Sequence, residues 1–306
     1  MMLLLKYTLM YMMVLMLVAL GGMFSERSGI INIALEGIMV IGGLVGVLMT
    51  RMLPADLPAW AMVTLSILGS AISGAIYAAL LAFASVNLKA DQTIGGTALN
   101  LLATALALVA AKRFNGSQSG KVDFDNSAFS FNIGGLTLNV FFFIGIVILI
   151  AAYVVLYRTR FGLRLSACGE HPQAADSVGI NVYKMRWCGV LISGVLGGIG
   201  GMAYIIPSVS SWNFEVGVSG AGFLALAVMI FGQWKPFRIF LAAVFFALFK
   251  SLANIASSIP FLAELGWTQN MYNMIPFIAS MIILAFTSKK SRAPKAEGIP
   301  YDKGSR

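Results

Sequence analysis

Two polar side chains, Asn32 and Glu36, stand four residues apart within a strongly apolar part of the sequence. On an α-helix this spacing places both on one face. A carboxylate accepts hydrogen bonds from hydroxyl groups, and an amide both donates and accepts them. The pair is therefore a candidate binding site for a polyhydroxylated ligand. The structural alternative is that the two side chains bond each other, or cap a helix that begins after a break at Ser28 and Gly29.

A second polar island, DQTIGGTALNLLATALA, opens another apolar stretch and contributes Thr97 and Asn100 at helical spacing. These two residues are candidates for the same site, and hydrogen bonding between helices is the alternative. Lys250 and Asn254 interrupt a later apolar stretch in the same way. Lys250 either pairs with Glu36 or extends to the membrane surface, and the sequence leaves both open.

The sequence predicts no catalytic residues and no metal site. His171 is the only histidine, and neither a Ser-His-Asp set nor an HExxH motif occurs. The glycines of SGVLGGIGGMA lie within an apolar stretch with no preceding strand, which favours close helix packing over a dinucleotide site. GSQSGKV lacks the Ser or Thr that should follow Lys121 in a phosphate-binding loop. We expect no enzyme, and no cofactor bound by this chain.

The elements that position these residues are predicted by composition. Of the 306 residues, 59% are hydrophobic and 11% are charged, whereas soluble domains carry about 25% charged residues. Apolar stretches recur along the chain, and a spanning helix needs about 20 such residues. We predict an all-α polytopic membrane protein with about 9–10 transmembrane helices, in a membrane domain over residues 1–288. The predicted spans are 3–23, 30–53, 59–86, 93–111, 136–157, 186–206, 216–233, 236–258 and 271–287.

The second stretch is too long for one straight helix. Residues 24–53 would span about 45 Å as an α-helix, against a hydrocarbon core of about 30 Å. We therefore predict a broken or re-entrant helix near residues 24–37, as transporters place near the membrane midplane. Nine spans and a cytoplasmic carboxyl terminus put the amino terminus outside, whereas Lys6 favours the inside. The first stretch, residues 1–23, is expected to be a retained span.

The net charge of +9 is explained by the excess of Lys and Arg that cytoplasmic loops carry, so no nucleic-acid partner is expected. The connection 158–186 and the tail 289–306 are basic and are predicted to be cytoplasmic, the tail lying on the membrane surface. The connections 208–215 and 258–270 hold neither Lys nor Arg and are predicted to lie outside. Cys168 and Cys188 are expected to be free thiols in a reducing compartment.

Within the basic connection, EHPQAADSVG predicts one short helix over residues 170–179. Pro172 suits a first helical position and Gly179 suits the end. Ala174, Ala175 and Val178 would form a small apolar face. Such a helix is a candidate docking element, and a connector lying on the membrane surface is the alternative.

These residues resemble a known family. The loop with Ala174, Ala175, Asp176 and Gly179 is similar to the coupling helix of ATP-binding-cassette importer permeases. FSERSGIINIALEG, NLKADQTIGGTALNLLA, RFGLRLSACGEHPQAADSVGIN, FLALAVMIFGQWKPF and APKAEGIPYDKGSR together resemble the nucleoside permeases of the branched-chain amino acid and monosaccharide permease family. Lys250 and the stretch VGVSGAGF depart from that pattern.

The resemblance implies a shorter permease subunit in the bacterial cytoplasmic membrane. A second homologous permease, two ATPase subunits that bind ATP-Mg, and an extracytoplasmic substrate-binding protein would be its partners. Alternating access would move a nucleoside past Asn32, Glu36, Thr97 and Asn100. Riboflavin, a monosaccharide or an autoinducer-type furanose are alternative cargoes, and an ATP-independent transporter or channel is a further alternative. The implied coupling residues are Glu170, Pro172, Ala174, Ala175, Asp176 and Gly179.

Overall fold

The computed structural model describes residues 2–54, 56–115, 119–133, 136–256, 267–287 and 292–304. Four short strands in this part of the chain form two antiparallel pairs, the first with the fourth and the second with the third. The helices are α1 Met2–Glu26, α2 Leu35–Met52, α3 Ala59–Ala82 with a π-helical extension Phe83–Asn87, α4 Gln92–Asn115, α5 Val140–Arg158, α6 Arg160–Glu170, α7 Pro172–Ser177, α8 Val182–Ile205, α9 Ala221–Phe231, α10 Pro236–Ile255 and α11 Gln269–Thr287; the strands are β1 Lys121–Asp123, β2 Ser130–Ile133, β3 Leu136–Asn139 and β4 Ser211–Asn213.

The all-α polytopic prediction is confirmed. Within the described part of the chain, α1 to α5, α8 and α10 are long and apolar enough to cross a membrane. Each of the nine predicted stretches contains a helix, and the other two are α9 and α11. With 11 residues, α9 is about 16 Å long, which is half of a hydrocarbon core. It therefore begins well inside the bundle.

α8 forms the centre of the bundle because its small residues admit close neighbours. A side chain added at Gly198 would overlap the carbonyl oxygen of Ser70 on α3, and one added at Gly201 would overlap that of Met39 on α2. The Ser70 hydroxyl donates to the carbonyl oxygens of Gly42 and Gly198, both at 2.8 Å. The packing role predicted for the glycine run is therefore confirmed.

The predicted interruption near residues 24–37 is confirmed as well. α1 ends at Glu26 and α2 begins at Leu35, and residues 27–34 between them are not helical. We call residues 27–34 the break. Arg27 Nη2 donates to the carbonyl oxygen of Trp234 at 2.7 Å, in the connection between α9 and α10. Gly29 has φ +97°, a value that glycine adopts without strain.

The bundle has two distinct ends. One carries α6, α7, the connection 232–235 and residues 292–304, and we call it the tail end. The other carries the four strands, and we call it the strand end. Tyr11 of α1 lies against Tyr204 at the strand end, so α1 starts there and finishes at the tail end. The start of α1 and residues 292–304 therefore lie at opposite ends of the bundle, the arrangement that nine spans require.

The four strands and α6 were not predicted from the sequence. β1, β2 and β4 lie between predicted spans, β3 lies within the predicted span 136–157, and β1 is held by pairing with the distant β4. α6 was missed within the connection 158–186, where one helix over 170–179 was predicted. The predicted bounds of this helix were wrong. α6 ends at Glu170, and α7 covers only Pro172–Ser177. α6 buries Leu165 and Cys168 on one face, and this tertiary contact stabilises it. Most of the connection 258–270 lies outside the described residues.

Residues 294–302 of the tail pack against the bundle. Ala296 N–H donates to Gly169 O at 2.8 Å, and Gly298 N–H donates to Gly29 O at 3.2 Å. The buried guanidinium of Arg186 donates to Ile299 O at 2.9 Å. The tail thus joins the break, α6 and α8. The predicted tail residues 289–291, 305 and 306 lie outside the described part.

The attachment of the tail is expected to depend on pH. Burial raises the pKa of Glu297, whose carboxyl hydrogen-bonds with that of Glu26. Because this pKa is raised by docking, the stabilisation is complete below the ordinary Glu value of about 4.3 and is lost as pH rises through the raised value. Between about pH 5 and pH 8 the melting temperature of Glu297→Gln should therefore fall less than that of the wild type. Glu215→Gln, at the exposed strand end, is the control, and parallel curves for wild type and Glu297→Gln would contradict the prediction.

Candidate substrate path and docking hairpin

Glu36 binds the first turn of α9. Its Oε1 accepts from Gly220 N–H at 2.8 Å, and its Oε2 accepts from Gly222 N–H at 2.7 Å. The amino-terminal end of a helix carries free N–H groups and a partial positive charge, which a carboxylate complements. Glu36 lies in the first turn of α2, so this contact joins the starts of two helices inside the bundle.

Asn32 lies in the break and precedes α2. Its Nδ2 donates to the Ser193 hydroxyl of α8 at 2.8 Å, and the side chain is fully buried. Its Oδ1 is a buried acceptor with no protein partner among the described residues. The prediction that Asn32 and Glu36 share a helix face was wrong, because the helix begins at Leu35. The hydrogen bonds of Asn32 and Glu36 are made to α8 and α9 and not to each other.

Asn100 bridges the break and α2 from the neighbouring helix α4. Its Oδ1 accepts from Gly37 N–H at 2.7 Å, and its Nδ2 donates to Ile33 O at 2.9 Å. Thr97 is different: its exposed hydroxyl donates to Thr93 O within α4. The structure thus brings Asn32, Glu36 and Asn100 together around the break and places Thr97 outside this cluster.

The sequence analysis did not single out Gln92, although it quoted the island that contains it. Gln92 Oε1 accepts from Ile31 N–H at 2.7 Å, so α4 holds the break at two points. Lys250 forms no ion pair with Glu36 within 4 Å in the described part of the chain, but its charge acts on that carboxylate at longer range. The signal for Gln92 was its position in the polar island DQTIGGTALNLLATALA, since an amide can both accept and donate hydrogen bonds there.

At the tail end, α6 and α7 form a hairpin that divides the predicted apolar face. Ala175 is only 3% exposed and packs with Cys168, Val182 and Tyr301. Val178 is 75% exposed, and Ala174 also faces outward. Burial raises the pKa of the Cys168 thiol to about 11, which keeps it protonated and unreactive.

The remaining predicted coupling residues shape the same hairpin. Pro172 is buried at the first position of α7, and Glu170 is exposed at the end of α6. Asp176 forms an ion pair with Lys303 of the tail at 3.7 Å. Gly179 has φ +83° and its N–H donates to Asp176 O, so it ends the helix as predicted. The outward residues of the hairpin form a compact surface, and the buried ones hold it in place.

Comparison with known proteins identifies the class of this chain. Residues 4–285 match the family described as the branched-chain amino acid transport system / permease component. Because the match covers nearly the whole sequence, the chain belongs to this family.

Individual relatives show which kind of permease this chain is similar to. The nucleoside ABC transporter permease protein NupC of Lactococcus lactis subsp. cremoris is 42% identical over 311 residues, which cover 96% of this chain and 95% of that protein. The guanosine ABC transporter permease protein NupQ of Bacillus subtilis is 39% identical over 313 residues, covering 98% and 96%. NupB, also a nucleoside ABC transporter permease protein of L. lactis, is 22% identical over 97% of this chain. The resemblance to nucleoside permeases is confirmed.

Proposed function

We propose that this chain is one of two permease subunits of an ATP-binding-cassette importer for nucleosides. The observation that carries the proposal is the similarity to NupC and NupQ over at least 95% of each chain. The similarity to both NupC and NupB of one organism supports a heterodimer with a second homologous permease. ATP-Mg would be bound by separate ATPase subunits, and a substrate-binding protein would deliver the cargo.

In this proposal the tail end is cytoplasmic in a bacterial inner membrane, and the strand end faces the binding protein. Basic residues support the assignment, because cytoplasmic loops carry an excess of Lys and Arg. The tail end has the half-buried Lys235 and the basic residues in and around α6 and at the start of α10, which are Arg158, Arg160, Arg164, Lys184 and Arg238. The hairpin of α6 and α7 would receive the ATPase on its outward face.

The break is the proposed substrate path, with Asn32, Glu36, Asn100 and Thr97 as its substrate-binding residues. The free Oδ1 of Asn32 can accept from a ribose hydroxyl. Glu36 and Asn100 hold the starts of α9 and α2, and their bonds would change partners as the path alternates between its two states. Thr97 would contribute its exposed hydroxyl from α4, on a face that the second permease can approach.

The test is ATP-driven uptake in proteoliposomes that hold this chain, its second permease, the ATPase subunits and the binding protein. Labelled inosine, adenosine, ribose, riboflavin and leucine would be compared. Glu36→Gln replaces one carboxylate oxygen by an NH₂ group, which cannot accept from a glycine N–H. An unsatisfied buried donor costs about 1–3 kcal/mol, so we expect nucleoside uptake to fall at least about fivefold. Asn32→Ala should lower it too.

Glu215→Gln is the matched control, since this exposed carboxylate lies at the strand end and leaves the break unchanged. Uptake of riboflavin or ribose alone would agree with an ATP-driven importer but would overturn the assignment of nucleosides as its cargo. Uptake that proceeds without ATP would overturn the importer itself. Wild-type nucleoside uptake in both Glu36→Gln and Asn32→Ala would leave the importer standing and remove the break from the substrate path.

A further inference from the structure

A cavity of about 320 Å³ opens at the strand end, between α1, α8, α10 and the segment before α9. Its volume is in the range of small-molecule sites, about 300–1,000 Å³. It is lined by aromatic rings from α1, α8 and β4 and by the polar side chains of Ser219, Lys250 and Asn254. None of the four predicted substrate-binding residues lines it.

The aromatic wall is continuous. The rings of Tyr7 and Tyr11 are stacked at 6.3 Å, Tyr11 and Tyr204 lie 6.1 Å apart, and Trp212 meets Tyr204 edge to face at 5.7 Å. The indole Nε1 of Trp212 donates to Gly217 O at 3.0 Å, which fixes that ring. Such rings bind flat heteroaromatic molecules by stacking, and base–aromatic stacking contributes about 1–3 kcal/mol per base.

The floor of the cavity is held in an uncommon backbone conformation. Ser219 has φ +53° between Gly217 at +56° and Gly220 at +77°. A non-glycine residue with positive φ is uncommon, and such positions concentrate at ligand sites. A narrow recess shares Tyr11, Ser219 and Lys250 with the lining of the cavity and reaches Gly220, whose N–H binds Glu36. The lining of the cavity therefore lies beside the Glu36 contact.

The polar edge of the cavity offers a ligand the hydrogen-bond donors of Lys250. Lys250 presents an ammonium group, which has three donors and no acceptor. Its side chain is partly buried and lies in the last third of an apolar helix, and a charge within such a helix is costly and usually functional. Asn254 lies one turn further along the same helix, at the exposed rim. A ring edge that presents acceptors to Lys250 will be bound, and one that presents an amino group will be disfavoured.

We propose that this cavity is a subsite for the heteroaromatic base of the cargo, in which Tyr11, Tyr204 and Trp212 provide the stacking wall and Lys250 selects bases with a carbonyl acceptor on their edge. Purines with a 6-oxo group are thereby favoured over those with a 6-amino group. The inference rests on the proposed function. It adds that the base is the part of the nucleoside recognised in this cavity and that Lys250 is the residue that recognises it.

The experiment measures initial uptake of labelled inosine and adenosine by the complete transporter in proteoliposomes. Lys250→Met removes the donors but keeps a long side chain, and we expect the inosine-to-adenosine ratio to fall about tenfold, the scale of one hydrogen bond to a charged group. Lys250→Arg, which keeps charge and donors, should restore most of the ratio. Tyr204→Leu should lower uptake of both nucleosides about tenfold, whereas Tyr204→Phe keeps the ring and should lower uptake less than Tyr204→Leu does.

Lys112→Met is the control, because it removes a lysine from the last turn of α4, outside the cavity. Loss of a merely structural effect of the Lys250 charge on Glu36 would lower both uptakes equally, so an unchanged ratio in Lys250→Met overturns the selection by Lys250. Wild-type uptake in Tyr204→Leu overturns the stacking wall. In either case the unaltered transporter would still import nucleosides, so the proposed function would stand. Absence of all nucleoside uptake in the wild type would overturn both.

Discussion

Replacement of Gly201 by valine is expected to prevent correct assembly of the helix bundle. A Cβ at this position would overlap the backbone carbonyl oxygen of Met39, and a backbone atom can move only if α2 and α8 separate. Overpacking of a core commonly costs about 1–3 kcal/mol. Here the cost should exceed that range, because α8 also packs on α1 and α3 and separation would weaken these contacts too.

The expected result is a large loss of monodisperse protein after detergent extraction, and a lower melting temperature for any protein that remains. Gly95→Val is the matched control on α4, since a Cβ added at Gly95 meets no atom within 4 Å. The control should purify with near wild-type yield. Gly201→Val protein with wild-type yield and melting temperature would show that α2 and α8 do not need this close approach.

The second large effect is expected at the hairpin of α6 and α7. Val178→Asp should abolish ATP-driven uptake and weaken copurification of the ATPase subunits, while this chain folds as the wild type does. The physical reason is the 75% exposure of Val178. A charge there costs little in the free chain, but it must be desolvated when an apolar partner surface covers it.

Ala175→Asp cannot serve this purpose, because Ala175 is 3% exposed and a buried charge would unfold the hairpin. Val178→Ala should keep most activity. Val216→Asp changes a 61% exposed valine at the strand end and should leave copurification of the ATPase unchanged. If Val178→Asp copurifies with the ATPase and supports normal uptake, the outward face of α7 is not the docking surface.

Much of the membrane architecture could be predicted because it follows from local chemistry. Each of the nine apolar stretches contains a helix, and the length of residues 24–53 required a break. The half-length of α9 was not anticipated. The stretch 216–233 is mostly apolar, but positive φ angles at Gly217, Ser219 and Gly220 keep its first part non-helical, and only the contact with Glu36 shows why the helix begins at Ala221.

The sequence predicted which residues belong to the candidate site better than it predicted their contacts. Asn32, Glu36 and Asn100 do converge on the break, but their partners are backbone groups and a serine hydroxyl from distant segments. The cavity at the strand end escaped the sequence analysis because Tyr11 and Tyr204 lie in apolar helices, where tyrosine does not stand out. They are 193 positions apart in a sequence of 306 residues, and no local pattern relates them.

The sequence alone determined that this chain is a multi-pass helical membrane protein of a permease family, with an interrupted helix near its start and a basic connection with a short helix between spans. Those properties depend on hydropathy, on the length of each apolar stretch and on short motifs, all of which involve residues that are close together in the sequence. The tertiary structure decided which face of α7 is exposed, which helix start Glu36 binds, and that the tail lies against the break. These features depend on contacts between residues far apart in the chain, and such contacts exist only after α8 has brought its neighbours together.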